Sequence, residues 1–248
     1  MKLSDYSAPA DLLANRIILV TGAASGIGRT AARTFAAHGA TVIILDKNVP
    51  GLESLYDEIG QDGSPEAAIY PMDLAGATLE DYNILEETLC KNFERLDGLL
   101  HNAAILGHLA SISNADLKEW HQVMTVNFNA PLVLTRACLP LLKASTSASI
   151  LFTSDSVGRQ GKAYWGAYSI SKFATEGLMQ ILADELEVNT SIRVNSLDPG
   201  PVRTQLRAMA YPGEDENKWP LPETIMASYL YLMGKDSLEV NGRALSAQ

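Results

Sequence analysis

Short apolar segments with the composition of β-strands alternate along this chain with amphipathic segments of helical length. Strands are predicted at 16–21, 41–45, 67–70, 98–100, 149–152 and 193–197, and helices at 27–38, 51–59, 79–93, 115–142 and 167–187. Such alternation predicts βαβ units, in which each crossover helix covers one face of a parallel sheet. The expected fold class is therefore α/β, with a doubly wound parallel sheet in three αβα layers.

The chain has the size of one domain. Its 248 residues, of which 47% are hydrophobic and 19% are charged, suffice for a single well-buried core. We expect residues 1–248 to form that domain, with 1–14 as an N-terminal extension and 242–246 as a last short strand. The segment 211–222 contains three prolines and an acidic run, which is typical of a lid and equally of a solvated surface loop.

Net charge and cysteine content narrow the classes of partner. A net charge of −10 disfavours nucleic acid, because phosphate binding needs a basic surface. No apolar run approaches the ~20 residues of a membrane span, so no membrane association is expected. Cys90 and Cys138 are the only cysteines and belong to no metal-binding motif. We therefore expect no metal site and a reducing, cytoplasmic location.

A glycine-rich segment lies between the first predicted strand and the first predicted helix. Gly22, Gly26 and Gly28 have the spacing GxxxGxG, with Ser25 and Ile27 between them. Glycines at this position allow a tight turn and close approach of a pyrophosphate, which then meets the free N–H groups of the helix N-terminus. The segment predicts a dinucleotide site, and the alternative is a tight turn that binds nothing.

Asp46 is placed to select the cofactor. It ends the second predicted strand, where a carboxylate can accept hydrogen bonds from the adenosine ribose and repel a 2′-phosphate. This favours NAD over NADP. Lys47 next to it could neutralise a phosphate, which keeps NADP open, and a plain strand-end turn is the alternative without a ligand.

Tyr168 and Lys172 are candidates for the chemistry. They are four residues apart in a predicted helix and so share one face. The ammonium is expected to lower the pKa of the phenol from about 10, so that the tyrosine can act as a general acid or base near neutral pH. A Tyr and a Lys at this spacing on an exposed helix face are the alternative.

Five motifs stand in the order and roughly the spacing of one known family. They are Thr21-Gly22-xxx-Gly26-x-Gly28, Asn102-Ala103-Ala104, Val126-Asn127, Tyr168-xxx-Lys172 and Pro199-Gly200-Pro201-Val202-Arg203-Thr204. With them the chain resembles the short-chain dehydrogenase/reductase superfamily over residues 11–246, which implies a Rossmann fold. A narrower resemblance, to a bacterial branch of oxidoreductases often labelled the YciK family, lies in the segments 156–161, 165–168, 171–177 and 241–245.

The resemblance implies roles for individual residues. Tyr168 would be the catalytic acid/base, Lys172 would hold the nicotinamide ribose, and Asn127 would support a water relay. For Asn127 the alternative is a helix-interior polar residue bonded to backbone. The remaining cofactor contacts would be Asp73 and Leu74 at the adenine, Asn102, Ala103 and Ala104 beside the adenosine, and Pro199, Gly200, Val202 and Thr204 at the nicotinamide end.

Asp155 departs from the family pattern. It stands 13 residues before Tyr168, where the resemblance implies a serine whose hydroxyl stabilises the developing alkoxide. An ionised carboxylate only accepts hydrogen bonds and raises the pKa of a nearby phenol. Three interpretations stay open: Ser154 or Ser156 takes the serine's place, a protonated Asp155 donates, or catalysis is weakened. A carboxylate there would also suit a cationic or polyol substrate.

The sequence therefore predicts an NAD(P)-dependent oxidoreductase that interconverts a small-molecule alcohol and a carbonyl by hydride transfer. The alternative function is a catalytically weakened dinucleotide-binding regulator or scaffold, because fold alone does not establish activity. The resemblance also implies a homodimer or homotetramer built on the helices predicted at 115–142 and 167–187.

Overall fold

Seven parallel strands form one sheet in this computed structural model, which describes residues 3–248. Their order is β3-β2-β1-β4-β5-β6-β7. The strands are β1 (Ile17–Thr21), β2 (Thr41–Asp46), β3 (Ala68–Pro71), β4 (Gly98–His101), β5 (Ser149–Thr153), β6 (Arg193–Asp198) and β7 (Ala244–Ser246). The predicted doubly wound sheet is confirmed, and each predicted strand is present with its ends shifted by at most two residues.

Helices cover both faces of the sheet and complete the three predicted layers. They are α1 (Gly26–Ala37), α2 (Val49–Gln61), α3 (Leu79–Asn92), α4 (Leu117–Met124), α5 (Ala130–Lys143), α6 (Gly166–Glu187), α7 (Gln205–Ala210) and α8 (Met226–Met233). Phe35 of α1, Leu52 of α2 and Tyr229 of α8 belong to the core on one face. Leu85 of α3 and Met179 of α6 belong to the core on the other. Burial of both faces explains why the strands are continuous apolar runs.

The helix predicted at 115–142 is divided. A π-helical turn at Thr125–Asn129 separates α4 from α5. Such turns insert an extra residue into the helical hydrogen-bond pattern and often occur at functional sites. The turn contains Asn127, one of the residues that the sequence analysis selected. Helices α7 and α8 were not predicted, because they are only 6 and 8 residues long.

The N-terminal segment packs on the domain instead of extending from it. Leu13 is fully buried, and the Tyr6 hydroxyl donates to Asp236 Oδ2 at 2.7 Å. Of the described residues of the predicted extension 1–14, Leu12 and Leu13 belong to the core and the others are half-buried or exposed, while Met1 and Lys2 lie outside the described range. No helix within residues 3–248 is long and apolar enough to cross a membrane.

The strand order places a crevice at the carboxyl ends of β1 and β4. β1 pairs with β2 on one side and β4 on the other, so the connections on its two sides run in opposite directions. Loops that leave neighbouring strands at such a point separate and create a ligand crevice. The residues that end these strands are therefore the first place to look for a functional site.

Candidate active site

The turn between β1 and α1 is shaped by its glycines. Gly22 and Gly26 have φ of +66° and +54°, a backbone region that favours glycine. A Cβ on Gly28 would collide with the carbonyl oxygen of Gly22, so helix and strand approach closely. The side chain of Ser25, the N-cap residue of α1, makes no capping hydrogen bond to any described residue. The first N–H groups of α1 are thus available to an anion, as a pyrophosphate would require.

A cleft of about 1090 Å³ runs along the carboxyl ends of the strands. It brings together most of the predicted cofactor contacts, which were selected from segments far apart in the sequence. They are Gly22, Ser25, Gly26, Ile27, Asp46, Asp73, Leu74, Asn102, Ala103, Ala104, Pro199, Gly200, Val202 and Thr204. Gly28 is buried behind this wall. The volume and lining of the cleft fit a dinucleotide.

Asp46 is held in the wall of the cleft by backbone groups. Its Oδ2 accepts the Ala24 N–H at 3.1 Å and its Oδ1 accepts the Asn48 N–H at 3.0 Å. These bonds orient the carboxylate at the end of β2. Lys47 is exposed and lines the same part of the cleft, so opposite charges border this end of it.

Tyr168 and Lys172 lie at the centre of the cleft, on α6. Both are buried, at 4% and 5% exposure. The Lys172 Nζ donates to the Thr153 carbonyl at 2.7 Å and lies 5.6 Å from the centre of the Tyr168 ring. The exposed helix face considered above is therefore excluded for this pair.

Burial controls the ionisation of both groups. It raises the pKa of Tyr168 well above its ordinary value, and the charge and hydrogen bond of Asp155 add to the effect. The net shift is therefore opposite to the lowering expected from Lys172, whereas the raising effect of Asp155 agrees with the sequence. Burial also lowers the pKa of Lys172 to about 8, partly opposed by Asp155, Glu176 and Asp198. The phenol consequently holds its proton at neutral pH.

Asp155, and neither neighbouring serine, faces the catalytic tyrosine candidate. The Tyr168 hydroxyl donates to Asp155 Oδ2 at 3.2 Å. Ser154 borders the cleft, but its hydroxyl donates to Glu176 Oε1 at 2.6 Å, away from Tyr168. Ser156 is exposed and its hydroxyl donates to Asp155 Oδ1 at 3.2 Å. The structure therefore does not bring either serine to the position that the displaced-serine interpretation requires.

A buried carboxylate on α6 that was not predicted from the sequence fixes this arrangement. Glu176 is 6% exposed and accepts from Ser154 and Ser196 hydroxyls, each at 2.6 Å, and from Arg159 Nε at 3.0 Å. Arg159 also donates to the Leu245 carbonyl at 2.8 Å. We call these residues the Glu176 cluster. The sequence feature that could have identified Glu176 is its position four residues after Lys172, which places both side chains on one face of the helix.

Asn127 connects two walls of the cleft without lining it. Its Oδ1 accepts the Ile105 N–H and its Nδ2 donates to the Ile105 carbonyl, both at 2.9 Å. The same Nδ2 lies 3.1 Å from Ser171 Oγ on α6. The side chain thus fixes the segment after β4 against α6. Its bonds to the Ile105 backbone agree with the alternative of a helix-interior polar residue bonded to backbone. The water relay stays a prediction.

The end of the cleft beyond Tyr168 contains an apolar cluster. Its wall includes Leu106, Leu109, Trp165, Leu206 and Tyr211. Of the residues that precede Tyr168, Trp165 borders the cleft, whereas Tyr164 is 65% exposed and Arg159 belongs to the Glu176 cluster. This end suits the apolar body of a small substrate. Residues 3–248 contain no group of three or more His, Cys, Asp or Glu side chains arranged to hold a metal ion.

The segment 211–222, for which the sequence left a lid and a solvated surface loop open, only partly borders the cleft. Tyr211 and Pro212 line it. The rest of the loop is tied back, because Glu214 accepts from Arg207 at 2.8 Å and from Trp219 Nε1 at 2.8 Å. Arg203 N–H also donates to the Pro220 carbonyl at 2.9 Å. Movement of this loop over a ligand stays a prediction.

The sheet, the glycine-rich turn at its crevice and the buried Tyr–Lys pair are the arrangement of a dinucleotide-binding α/β protein. The profile of the short chain dehydrogenase family matches residues 16–215. The chain belongs to this family. A short-chain dehydrogenase is an NAD(P)-dependent oxidoreductase, so the predicted enzyme class is confirmed.

Individual relatives agree along almost the whole chain. The uncharacterized oxidoreductase YciK of Escherichia coli (strain K12) is 48% identical over 98% of this chain and 96% of its own. A Pseudomonas syringae structure solved as a short chain dehydrogenase is 54% identical, with a TM-score of 0.97 over 98% of this chain and 99% of that one. A Shigella flexneri short chain dehydrogenase complexed with NADP is 48% identical, with a TM-score of 0.94 over 97% and 100%. The predicted YciK-like branch is confirmed.

Proposed function

We propose that this enzyme interconverts a small alcohol and its carbonyl compound, with Tyr168 as the group that moves the proton. The observation that carries the proposal is that one cleft contains both the glycine-rich turn and the buried Tyr168–Lys172 pair. A dinucleotide on the turn and a substrate beside Tyr168 would then lie end to end. The apolar wall around Trp165 would exclude water from the reacting atoms.

The residues of the cleft divide into three parts of a cofactor site. Asp46, Asp73 and Leu74 would contact the adenosine half, and the turn with the start of α1 would hold the pyrophosphate. Lys172 would bind the nicotinamide ribose. The remaining proposed contacts are Asn102, Ala103 and Ala104 beside the adenosine, and Pro199, Gly200, Val202 and Thr204 at the nicotinamide end. When bound, the nicotinamide supplies or accepts the hydride.

The protonation state of Tyr168 suits it to act as an acid. Because burial and Asp155 raise the pKa of its phenol well above the ordinary value, the hydroxyl carries a proton to donate at neutral pH. A substrate carbonyl would receive this proton as its carbon is reduced. In the reverse direction the phenol must first lose its proton, which the neighbouring carboxylate disfavours. Reduction is therefore the better supported direction.

We propose NAD as the preferred dinucleotide. Asp46 stands where the adenosine ribose would lie, and its backbone bonds hold the negative charge in place against a 2′-phosphate. NADP is the second candidate, because the Shigella flexneri relative was solved with NADP and Lys47 borders the same region. The charge of Asp46 disfavours a 2′-phosphate and the charge of Lys47 favours it. The choice between NAD and NADP therefore depends on which of the two charges lies next to the adenosine ribose.

Titration with NADH and NADPH, followed by nicotinamide fluorescence, tests the cofactor site. We expect NADH to bind more tightly than NADPH, and Asp46→Ala to reduce this preference by about tenfold, or about 1.4 kcal/mol. The control Lys47→Ala should weaken NADPH more than NADH. Tighter binding of NADPH by the unchanged protein would overturn the NAD preference. Binding of neither nucleotide would overturn the proposed site itself.

A catalytically weakened dinucleotide-binding regulator or scaffold is the second candidate function. Asp155 favours it, because an ionised carboxylate beside Tyr168 accepts the hydrogen bond that the Tyr168 hydroxyl would otherwise donate to the substrate. The same carboxylate repels a developing alkoxide. Nucleotide binding without turnover of any alcohol or carbonyl compound would support this function over the enzyme.

The proposal includes the assembly and the location of the enzyme. Leu132 on α5 and Ile170, Phe173 and Ile181 on α6 are exposed apolar side chains, between 42% and 58% accessible. Exposed apolar residues on neighbouring helices support a homodimer or homotetramer that buries them. The free thiols of Cys90 and Cys138 support a reducing, cytoplasmic setting.

A further inference from the structure

The two oxygens of the Asp155 carboxylate have different surroundings. Oδ1 accepts the Val157 N–H at 3.0 Å and the Ser156 hydroxyl at 3.2 Å, so it is occupied within its own loop. Oδ2 accepts the Tyr168 hydroxyl at 3.2 Å, and both residues line the cleft. Of the two oxygens, Oδ2 is therefore the one that a substrate beside Tyr168 would meet.

The bond between Tyr168 and Asp155 conflicts with simple carbonyl reduction. A phenol has one proton, and a carboxylate can only accept. If Tyr168 turns its proton to a substrate oxygen, Asp155 Oδ2 loses its donor in a cleft whose walls are mostly apolar. Lys172 does not replace it, because the Lys172 Nζ donates to the Thr153 carbonyl at 2.7 Å and forms no hydrogen bond or ion pair with Asp155 among the described residues. An acceptor left without a donor in such a place is unfavourable.

We propose that the substrate supplies the missing donor, from a second hydroxyl on the carbon next to the reacting one. The substrate class is then an α-hydroxy ketone and the corresponding vicinal diol. The Tyr168 hydroxyl would donate to the reacting oxygen while the second hydroxyl donates to Asp155 Oδ2. Oxygens on adjacent carbons in a gauche arrangement are separated by little more than a hydrogen-bond distance, which matches the 3.2 Å between the two protein atoms.

The rest of the cleft defines the body of this substrate. Trp165 packs on Tyr168 with ring centres 5.7 Å apart, and Leu106 and Ala210 belong to the same apolar cluster. Leu109 and Leu206 are packed against it. A substrate held here would place its two oxygens at Tyr168 and Asp155 and an apolar ring or chain against these side chains. A small hydroxylated ring satisfies both requirements.

The reaction balances without a further reactant and rests on the proposed function. In the reducing direction the carbonyl carbon gains a hydride, with its two electrons, from the reduced dinucleotide. The carbonyl oxygen gains the Tyr168 proton, which solvent then replaces. The second hydroxyl keeps its proton throughout, because its part is to satisfy Asp155 Oδ2 and to orient the substrate.

Two matched pairs of compounds test the proposal: 2-hydroxycyclohexanone against cyclohexanone for turnover, and 1,2-cyclohexanediol against cyclohexanol for calorimetric binding. We expect the unchanged enzyme to favour the dioxygenated member by on the order of a hundredfold in kcat/KM, with a parallel preference in Kd. Asp155→Ser should remove this preference, because the serine hydroxyl can itself donate to the reacting oxygen, so the substrate needs no second hydroxyl. Asp155→Asn should reduce it. The control Glu185→Gln changes an exposed acid on α6 and should leave it intact.

Equal use and equal binding of both members of each pair would overturn the inference. So would a preference that persists undiminished in Asp155→Ser. If no compound is turned over, calorimetry still decides, because equal or absent binding of the diol contradicts the proposed contact. If the unchanged protein bound neither nucleotide, the proposed function itself would be contradicted. Failure of the substrate inference and failure of the proposed function are therefore distinguishable.

Discussion

Lys172 is a residue whose chemistry depends on its burial. An exposed lysine keeps its charge far above neutral pH, whereas burial lowers the pKa of this one to about 8. The charges of Asp155, Glu176 and Asp198 oppose the shift only in part, and the nearby Tyr168 stays neutral. The lysine thus titrates within the range in which an enzyme is assayed.

We expect nucleotide affinity to fall as the pH rises through about 8, because the Lys172 ammonium is present below its pKa and lost above it. The measurement is NADH titration by fluorescence between neutral pH and the alkaline limit of stability. Lys172→Arg is the informative variant, since a guanidinium stays charged throughout this range. Its affinity should show no loss near pH 8. An identical alkaline loss in the variant would show that another group titrates.

At the scale of elements, the direction of the side chains after β5 is decided by α6. Ser154 and Asp155 are adjacent, so they point to different sides of an extended chain. Glu176 binds the Ser154 hydroxyl, and this leaves Asp155 facing Tyr168. The same carboxylate binds Ser196 on β6, and its partner Arg159 binds the Leu245 carbonyl on β7. The Glu176 cluster therefore connects α6 with three successive strands or strand ends.

Glu176→Gln should destabilise the protein by on the order of 3 kcal/mol, because it leaves the Arg159 guanidinium without its buried partner. Urea unfolding measures the loss. Glu185→Gln on the exposed side of the same helix is the control and should stay within about 0.5 kcal/mol of the unchanged protein. A similarly small effect at Glu176 would show that the cluster contributes little to stability.

At the scale of the whole molecule, apolar surface remains on α5 and α6 after the domain has folded. Ile170 and Phe173 are 45% and 43% exposed, although the same helix contributes Met179 and Leu182 to the core. A helix that is apolar on two sides needs a second partner for the outer one. This is the physical basis for the proposed oligomer.

Phe173→Glu should shift the protein toward monomer, because it places a charge in the proposed contact between subunits. Sedimentation velocity measures the change at matched concentrations. Val49→Glu serves as the control, since Val49 is 38% exposed at the start of α2, which packs on the opposite face of the sheet from α5 and α6. A monomeric unchanged protein, or equal behaviour of both variants, would contradict the assembly.

Much of the fold and the outline of the site follow from local sequence patterns. Strand composition, the GxxxGxG turn and residues at strand ends such as Asp46 depend on neighbours in the sequence, so the sheet, its helical layers and the cleft were predicted. The position of Asp155 relative to Tyr168 was also predicted, because a fixed spacing in the family defined it. The short helices α7 and α8 were not predicted, because 6 and 8 residues are too few to show a clear helical periodicity.

Other features depend on distances that only packing creates. The sequence predicts opposite effects of Lys172 and Asp155 on the pKa of Tyr168, and the tertiary structure decides the net direction, because burial of the phenol adds to the raising effect of Asp155. It also brings Ser154, Arg159 and Ser196 to Glu176 from segments separated by about 20 residues in the sequence. Burial and long-range contacts govern charge and hydrogen bonding. They arise only when the sheet and its helices have assembled.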